Sequence, residues 1–400
     1  MDPYCSTSRR QAGPIALDAR WTVPGDQPHG SSGSAYAVAD LLQAYETEKT
    51  LLLQIEGSGR LISLEASIQL SLNSHTMQDN PEAPNLLSLL CLLPYGPDVS
   101  SLPRMLPSLK NTRGTSLALL GVAFLFNDKG RLRVLSPTRD FVLEHHPPDN
   151  ACLTDMRSYS MHMAADVDKF GTEDFAQAVN LLSAEVGNIS AVLLHFWKSA
   201  PNWDELEEFP LATMQVADFT YQTYYGDCMA LLTEASKQLE LVGSSGSKAE
   251  CTWFMGEMLH MQGNIHQAIK KFNEANTYFE MREDQVGVAR CAWSMGNLLD
   301  DLNEHDEAIA KVEEAKAAFA SFNDYHSAAR CTQSISEIYR LLSRCSEAVP
   351  LLLEAKAAIE VGGDRRGVAS CMQDMAQVLL GLSKYEDALF ELEAAKEIFE

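Results

Sequence analysis

The last 150 residues of the chain repeat one residue pattern every 40 positions. Four cysteines mark the period, and they are Cys251, Cys291, Cys331 and Cys371. Alanine pairs keep the same phase in the second half of each unit, at 268 and 275, 308 and 315, 348 and 355, and 388 and 395. A chain with a repeat of this length folds into stacked units, each of which buries its apolar face against its neighbours.

Each unit is predicted to be a pair of helices. Apolar and small residues recur at steps of three and four, the spacing of one amphipathic helical face. A small residue early in the first helix and two alanines in the second resemble the tetratricopeptide repeat (TPR), with about six extra residues per unit. The resemblance implies a right-handed TPR α-solenoid over 211–400. Its units would be 211–250, which is degenerate, 251–290, 291–330, 331–370 and 371–400.

The periodic cysteines are predicted to be half-buried packing residues. Equivalent positions on stacked helices lie roughly 8 to 10 Å apart, whereas a disulfide requires Cα atoms within about 7 Å. The nine cysteines of the chain include no CxxC pair and no dense cluster. We therefore expect no disulfide framework and no metal site, and a reducing, cytoplasmic compartment.

The resemblance also implies a ligand-binding groove. In tetratricopeptide arrays the first helices line the concave surface, so the family's ligand-contacting positions carry over to eleven residues of this chain. They are Trp253, Glu257, His260, Arg290, Trp293, Asn297, Asp300, Arg330, Gln333, Glu337 and Arg340. Tryptophans flanked by arginines have the composition of an interaction hot spot. The sequence leaves open the alternative that both tryptophan rings only pack against the neighbouring first helix.

The predicted partner is a protein or peptide of basic or mixed apolar and basic character. Residues 211–400 contain 30 acidic and 16 basic side chains, a formal balance of −14 that favours a partner of opposite charge. Some arrays of this family hold the C-terminal carboxylate of a chaperone with recurrent Lys and Asn side chains. Only Asn297 fits that pattern here, so this ligand is not expected.

Three segments precede the repeats. Residues 1–36 are rich in Gly, Ser and Pro and are predicted to be disordered. Residues 37–150 are predicted to be helical, with an apolar core helix at 86–93 and a hairpin of strands 123–126 and 131–135. A helix that Ser136 caps, with proline at its first position, closes this module and ends at His145. Residues 151–210 are predicted to form a helical junction.

Helices, a hairpin and a closing helix constitute a winged-helix-like module. The strings SLEASIQLSLNS, LLSLLCLLPYG and GRLRVLSPTRDFVLEHHP resemble the winged-helix segment of fungal STAND signalling NTPases, in which a NACHT or NB-ARC ATPase precedes tetratricopeptide repeats. The chain contains no Gly-Lys pair and therefore no phosphate-binding loop of that ATPase. Ser136 stands where many of these modules have a histidine that contacts the nucleotide. We therefore expect no ATP binding, no cofactor and no catalysis.

Nucleic-acid binding by this module is the lower alternative. Between 101 and 144 seven basic side chains face three acidic ones, and the predicted hairpin places Arg131 and Arg133 where they can contact phosphate. The formal charge of the whole chain, −24, opposes such binding. No membrane span is predicted, because the longest apolar run, 117–126, is too short to cross a bilayer.

The predicted function is therefore that of a protein–protein interaction scaffold, the sensor or regulatory part of a STAND-type signalling protein. The alternative is an incomplete fragment of such an NTPase whose ATPase domain is absent. The sequence ends at the close of a repeat without a polar capping helix, which favours truncation or self-association through the last unit.

Overall fold

The fold is mainly α-helical. The computed structural model describes residues 59–169, 175–199 and 208–399. Within these residues the chain forms eighteen α-helices, one short 3-10 helix and a single two-stranded sheet, as the sequence predicts. The predicted disordered segment 1–36 and the start of the N-terminal module lie outside the described residues.

The N-terminal module places six helices and a hairpin around one apolar core. Its elements are α1 (Gly59–Leu72), α2 (His75–Gln78), α3 (Ala83–Cys91), α4 (Leu102–Met105), α5 (Thr112–Gly121), β1 (Leu125–Asp128), β2 (Arg131–Val134) and α6 (Ser136–His145). Helix α3 is the core element, because Leu86, Leu87, Leu89 and Leu90 are at most 1% exposed. The all-round apolar pattern at 86–93 predicted this burial. Helix α5 was not predicted, since the sequence suggested only an apolar run there.

The first strand of the hairpin lies two residues later in the sequence than the predicted strand 123–126. Strand β1 pairs antiparallel with β2, and Asp128 faces Arg131 across a two-residue turn. The turn residues Lys129 and Gly130 have φ values of 52° and 89°. Positive φ at both positions defines the tight turn whose twist matches that of paired strands. The predicted cap is also corrected: Ser136 is the first residue of α6, and Leu135 precedes the helix without a side-chain cap.

The junction consists of α7 (Asn150–Ala164), a 3-10 turn (Ala165–Lys169) and α8 (Phe175–Ser199). Among the described helices, α8 contains one stretch, Ala176–Ser199, that has the length and composition of a membrane span, with a mean hydropathy of 1.3. The helix packs against α7 and α10 (Met229–Leu241), and Val192, Leu193 and Trp197 are 0% exposed. These apolar side chains of α8 therefore pack in the core of the protein.

The repeat region consists of stacked helix pairs. Helix α9 (Phe209–Thr223) and α10 form a shorter pair. Four longer pairs follow, which are α11 (Ser245–Met261) with α12 (Ile265–Met281), α13 (Gln285–Asp301) with α14 (His305–Ser321), α15 (Tyr325–Leu341) with α16 (Cys345–Val361), and α17 (Arg365–Gly381) with α18 (Tyr385–Phe399). Each first helix begins six residues before the cysteine that marks the period in the sequence. The helix pairs therefore start at 245, 285, 325 and 365.

Turns of one conformation separate these helices every 20 residues. A residue with positive φ lies at 243, 263, 283, 303, 323, 343, 363 and 383. At seven of these eight turns the next residue donates a hydrogen bond back to the last turn of the helix, as where Asn264 N–H donates to the carbonyl of Leu259 at 2.8 Å. This bond satisfies a carbonyl group that the helix end leaves without a partner. Both helices of a pair thus end in the same way, and the 40-residue repeat contains a 20-residue subperiod.

Small residues allow the two helices of a pair to pack closely. A Cβ atom added to Gly256 would lie 2.5 Å from the ring of Phe272, and one added to Gly296 would lie 2.5 Å from Val312. The repeating small residue is thus required by the helix crossing. The marker cysteines are fully buried rather than half-buried, at 0 to 2% exposure. Burial raises the pKa of the Cys291 thiol to about 12, so this thiol stays neutral.

Candidate binding site

Side chains on each first helix bond to the first helix of the next pair. The acceptors lie 41 positions further along the chain, so the bonds form a ladder across successive first helices. The bonds join Trp253 Nε1 to Ser294 Oγ (3.0 Å), Trp293 Nε1 to Ser334 Oγ (2.9 Å), and Gln333 Nε2 to Asp374 Oδ2 (2.5 Å). Several of the residues predicted to contact a ligand are therefore used to hold neighbouring repeats together.

Two of the three predicted groove residues of the first unit, Trp253 and Glu257, are buried, whereas His260 is half-buried. Trp253 is 6% exposed, with Tyr221 of α9 at 6.0 Å between ring centroids. Glu257 is 4% exposed and accepts a hydrogen bond from Ser294 Oγ at 2.5 Å. Burial raises the pKa of Glu257, and the Ser294 hydrogen bond only partly opposes this effect. Trp253 thus has the packing role that the sequence left open, because α9 covers this part of the concave face.

Arg290, His260 and Asp300, which were predicted around the first two units, also have partners within the fold. The guanidinium of Arg290 stacks 4.6 Å from the Trp253 ring and pairs with Glu250 at 2.5 Å. His260 Nε2 lies 2.7 Å from a carboxylate oxygen of Asp301. Asp300 is 8% exposed and lies 2.9 Å from His305, whereas Asn297 is half-buried. These contacts stabilise the stack of repeats.

The residues predicted on the third first helix separate into two groups. Glu337 and Arg340 form a two-bond ion pair with each other, at 2.7 and 2.6 Å. Gln333 joins α15 to α17 through Ser370 and Asp374. Arg330, one turn before Gln333, faces a cavity instead. Only Trp293 and Arg330 among the eleven predicted residues line this cavity.

The cavity has a volume of about 670 Å³ and lies between α9 and the first helices of the second, third and fourth pairs. Its walls are polar and aromatic. They are formed by Val167, Asp218, Tyr221, Gln222, Tyr224, Trp293, His326, Ser327, Arg330, Asp364, Arg366 and Ser370. The volume falls within the range of small-ligand pockets, which is roughly 300 to 1,000 Å³.

A contact between distant parts of the chain closes one side of the cavity. Arg366 on α17 donates one hydrogen bond to Gln222 Oε1 at 2.5 Å and another to the backbone carbonyl of Gln222. These residues are 144 positions apart. Gln222 Nε2 in turn donates to Asp218 Oδ2 at 2.7 Å. The fourth pair thereby meets α9, and this contact bounds one side of the cavity.

Both carboxylates that line the cavity have partners. Asp218 accepts from Gln222, and an oxygen of Asp364 lies 3.0 Å from His326 Nε2. Asp364 also accepts from the backbone N–H of Gly367 at 2.8 Å. Burial acts to raise the pKa of Asp364, but these hydrogen bonds outweigh it and hold the pKa below its ordinary value. Asp364 is therefore ionised at neutral pH.

The two arginines of the cavity differ in their surroundings. Burial, and then the charge of Arg330, lower the pKa of Arg366, so the two guanidinium groups repel each other across the cavity. Among the residues that the structure describes, Arg330 has no hydrogen-bond acceptor and no ion-pair partner. Its repeat equivalent, Arg290, pairs with Glu250, which lies 40 positions earlier. The position 40 residues before Arg330 is Arg290 itself, so the repeat supplies no carboxylate there.

Most residues that line the cavity were not predicted from the sequence. Residues from α9 were missed because nothing in a repeat pattern indicates that a preceding helix folds over the array. Ser370 of the fourth pair had a signal, because it lies 40 positions after Arg330, and extending the predicted groove positions to the last unit would have found it. Arg366 lies 40 positions after His326, which was not a predicted groove position, so the same extension would have missed it.

Three of the seven basic residues between 101 and 144 have partners within the fold. Arg131 pairs with Glu185 of α8 at 2.7 Å and donates to the carbonyl of Gly96. Arg133 pairs with Asp128 at 3.2 Å, and Arg139 donates to the carbonyl of Leu93. Because these three guanidinium groups already have acceptors, Arg131 and Arg133 are not free to contact phosphate in the way that the sequence suggested, whereas Arg104, Lys110, Arg113 and Lys129 are exposed.

Comparison by sequence finds no matching family model and no matching relative among curated proteins. Comparison by structure finds helical proteins of low similarity. An aspartyl phosphate phosphatase F from Bacillus subtilis is 14% identical, with a TM-score of 0.42, over 62% of this chain and 70% of that one. A Rap protein complexed with a competence and sporulation factor is 16% identical, with a TM-score of 0.37, over 66% and 90%.

A STAND protein with a tetratricopeptide repeat sensor from Pyrococcus horikoshii is 14% identical, with a TM-score of 0.40. The match covers 90% of this chain and 59% of that protein. At TM-scores below 0.5 these likenesses carry no argument about function. The assignment of the chain as a tetratricopeptide-like α-solenoid follows from its own stacked helix pairs.

Proposed function

We propose that the chain is a protein-interaction scaffold that binds a peptide segment of a partner protein in the cavity between α9 and the first helices of the solenoid. The observation that carries the proposal is the bounded cavity of about 670 Å³. Its wall combines the rings of Tyr221, Tyr224 and Trp293 with charged side chains. Aromatic residues and arginine are the residue types that contribute most to binding energy at protein interfaces.

The surroundings of the cavity favour basic residues in the flanks of the bound segment. Residues 211–400 have a formal balance of −14, which attracts positive charge at long range. Within this proposal the cavity is the sensing site of a STAND-type regulatory protein, with the hairpin module and the junction preceding the sensor. The sequence resemblance over the hairpin module supports that assignment. Self-association through the last unit stays a separate prediction.

A cavity-filling variant tests the proposed site. Ser327 lines the cavity near the start of α15, and Ser327→Trp would fill much of the space. Ser346→Trp is the matched control, because Ser346 is exposed and does not line the cavity. The measurement is enrichment of clones from a random peptide display library on each immobilised protein.

We expect peptides selected on the wild-type chain to bind the Ser346→Trp control equally and to lose binding to Ser327→Trp. Far-UV circular dichroism would verify that both variants stay helical. Peptides that bind all three proteins equally would place the binding surface elsewhere and overturn the proposed site. Absence of any selected peptide on the wild-type chain would reject peptide binding itself.

A further inference from the structure

We infer that the cavity selects a peptide with a carboxylate group, which binds the guanidinium of Arg330. This inference rests on the proposed function and names the chemistry of its ligand. The carboxylate binds inside the cavity. The basic residues expected from the net charge of the array lie in the parts of the peptide that flank the cavity.

The first support is that Arg330 lies at a cavity wall and forms no direct ion pair with a described residue, although its charge acts at longer range on Asp364 and Asp374. It is half-buried, and no described residue accepts a hydrogen bond from it or forms an ion pair with it. Its side-chain nitrogens are not among the fully buried atoms that lack a partner, so the guanidinium is open to solvent in the cavity and a ligand can reach it. A planar carboxylate matches its two parallel N–H donors.

The second support is that the nearby carboxylates are directed to other partners. Asp364 accepts from His326 and from the backbone N–H of Gly367. Asp218 accepts from Gln222, which also holds Arg366. A ligand carboxylate at Arg330 therefore displaces no ion pair that the structure already contains.

The third support is the contrast with the equivalent arginine one repeat earlier. Arg290 forms an ion pair with the carboxylate of Glu250 at 2.5 Å and packs against the Trp253 ring. In the next unit the position equivalent to Glu250 is occupied by Arg290. Arg330 therefore keeps its two parallel N–H donors but has no carboxylate at that position. At the same repeat position, Arg290 thus forms an ion pair within the fold, whereas Arg330 is available to a ligand.

The experiment uses two random peptide libraries on the intact chain, one with internal sequences and one with free carboxyl termini. The proteins are the wild type, Arg330→Gln, Arg330→Lys and the control Arg344→Gln. Arg344 pairs with Glu347 at the start of α16 and does not line the cavity. Circular dichroism verifies that each variant stays folded.

We expect peptides selected on the wild type and on Arg344→Gln to share an Asp or Glu at one position, or a free terminal carboxylate. The library that yields them distinguishes these two sources of the group. Replacing that Glu by Gln, or amidating the terminus, should weaken binding to the wild type by roughly tenfold or more. The same change should alter binding to Arg330→Gln by less than about twofold, because the partner is already absent. Arg330→Lys should fall between them, since it keeps the charge and loses the fork.

The outcomes separate this inference from the proposed function. Peptides that Ser327→Trp blocks but that show no acidic preference would overturn the role of Arg330 and leave the cavity as the binding site. Peptides with a carboxylate whose loss weakens binding equally in the wild type and Arg330→Gln would also overturn it. Peptides that Ser327→Trp does not block would overturn the proposed site instead.

Discussion

Asp374 provides a direct test of how the concave face is held together. The residue lies on α17, where its carboxylate accepts a hydrogen bond from Gln333 of the preceding first helix at 2.5 Å. Burial raises its pKa from 3.8 to about 6, although the Gln333 hydrogen bond acts in the opposite direction. Glu337 raises the pKa further, and the charges of Arg340 and Arg330 lower it. Asp374→Asn keeps an oxygen that accepts from Gln333 and removes the ionisation.

The direction of the effect follows from proton binding. Between 3.8 and about 6 the folded chain keeps the Asp374 proton while the unfolded chain has released it. The folded state thus binds more protons, so the free energy of unfolding falls as pH rises through this window. The gap between the two pKa values corresponds to about 3 kcal/mol. The stability that this group contributes is complete below the lower value and is lost above the higher one.

We therefore expect Asp374→Asn to be more stable than the wild type at about pH 7.5, by up to about 3 kcal/mol. The difference should shrink towards zero as the pH approaches about 4, where the wild-type carboxyl is protonated. The assay is urea unfolding followed by far-UV circular dichroism at a series of pH values. Asp387→Asn on α18 is the matched control, because Asp387 is exposed, and it should follow the wild type throughout. A difference between wild type and Asp374→Asn that does not change with pH would refute the reasoning, as would a variant that is less stable at about pH 7.5.

Three further predictions concern the repeat architecture. Gly256→Ala should destabilise the fold by about 1 to 3 kcal/mol in urea unfolding, because its methyl group would lie 2.5 Å from Phe272. Gly121→Ala, where a methyl group meets nothing within 4 Å, should not, and equal losses in both would contradict the packing explanation. Asp324→Ala should cost about 1 kcal/mol, since it removes the cap to the Ser327 N–H at 3.0 Å, and an unchanged unfolding midpoint would argue against that cap. The eight described cysteines are buried, so peptide mapping should find them unmodified when a thiol reagent is added to the folded chain and modified after denaturation; rapid labelling of the folded protein at any of them would contradict their burial.

The sequence alone determined the features that depend on local periodicity. Spacings of three and four predicted the helix pairs, and the 40-residue period predicted that equivalent residues such as Cys291 and Cys331 pack in equivalent interfaces. The turn at Lys129 and Gly130 and the burial of α3 were predictable for the same reason, since each reflects a few consecutive residues. Strand ends and helix caps shifted by one or two positions, because propensity alone does not fix where pairing begins.

The tertiary structure decided which of the predicted groove residues remain accessible. Trp253 and Trp293 occupy equivalent repeat positions, yet Trp253 is buried beneath α9 whereas Trp293 lines the cavity. The contact between Arg366 and Gln222, 144 positions apart, bounds that cavity. The contact joins α9 to a helix of the fourth long pair, and no local sequence pattern specifies a contact over that separation. The repeat therefore specified each unit and its neighbours, and only the folded array specified where its two ends meet.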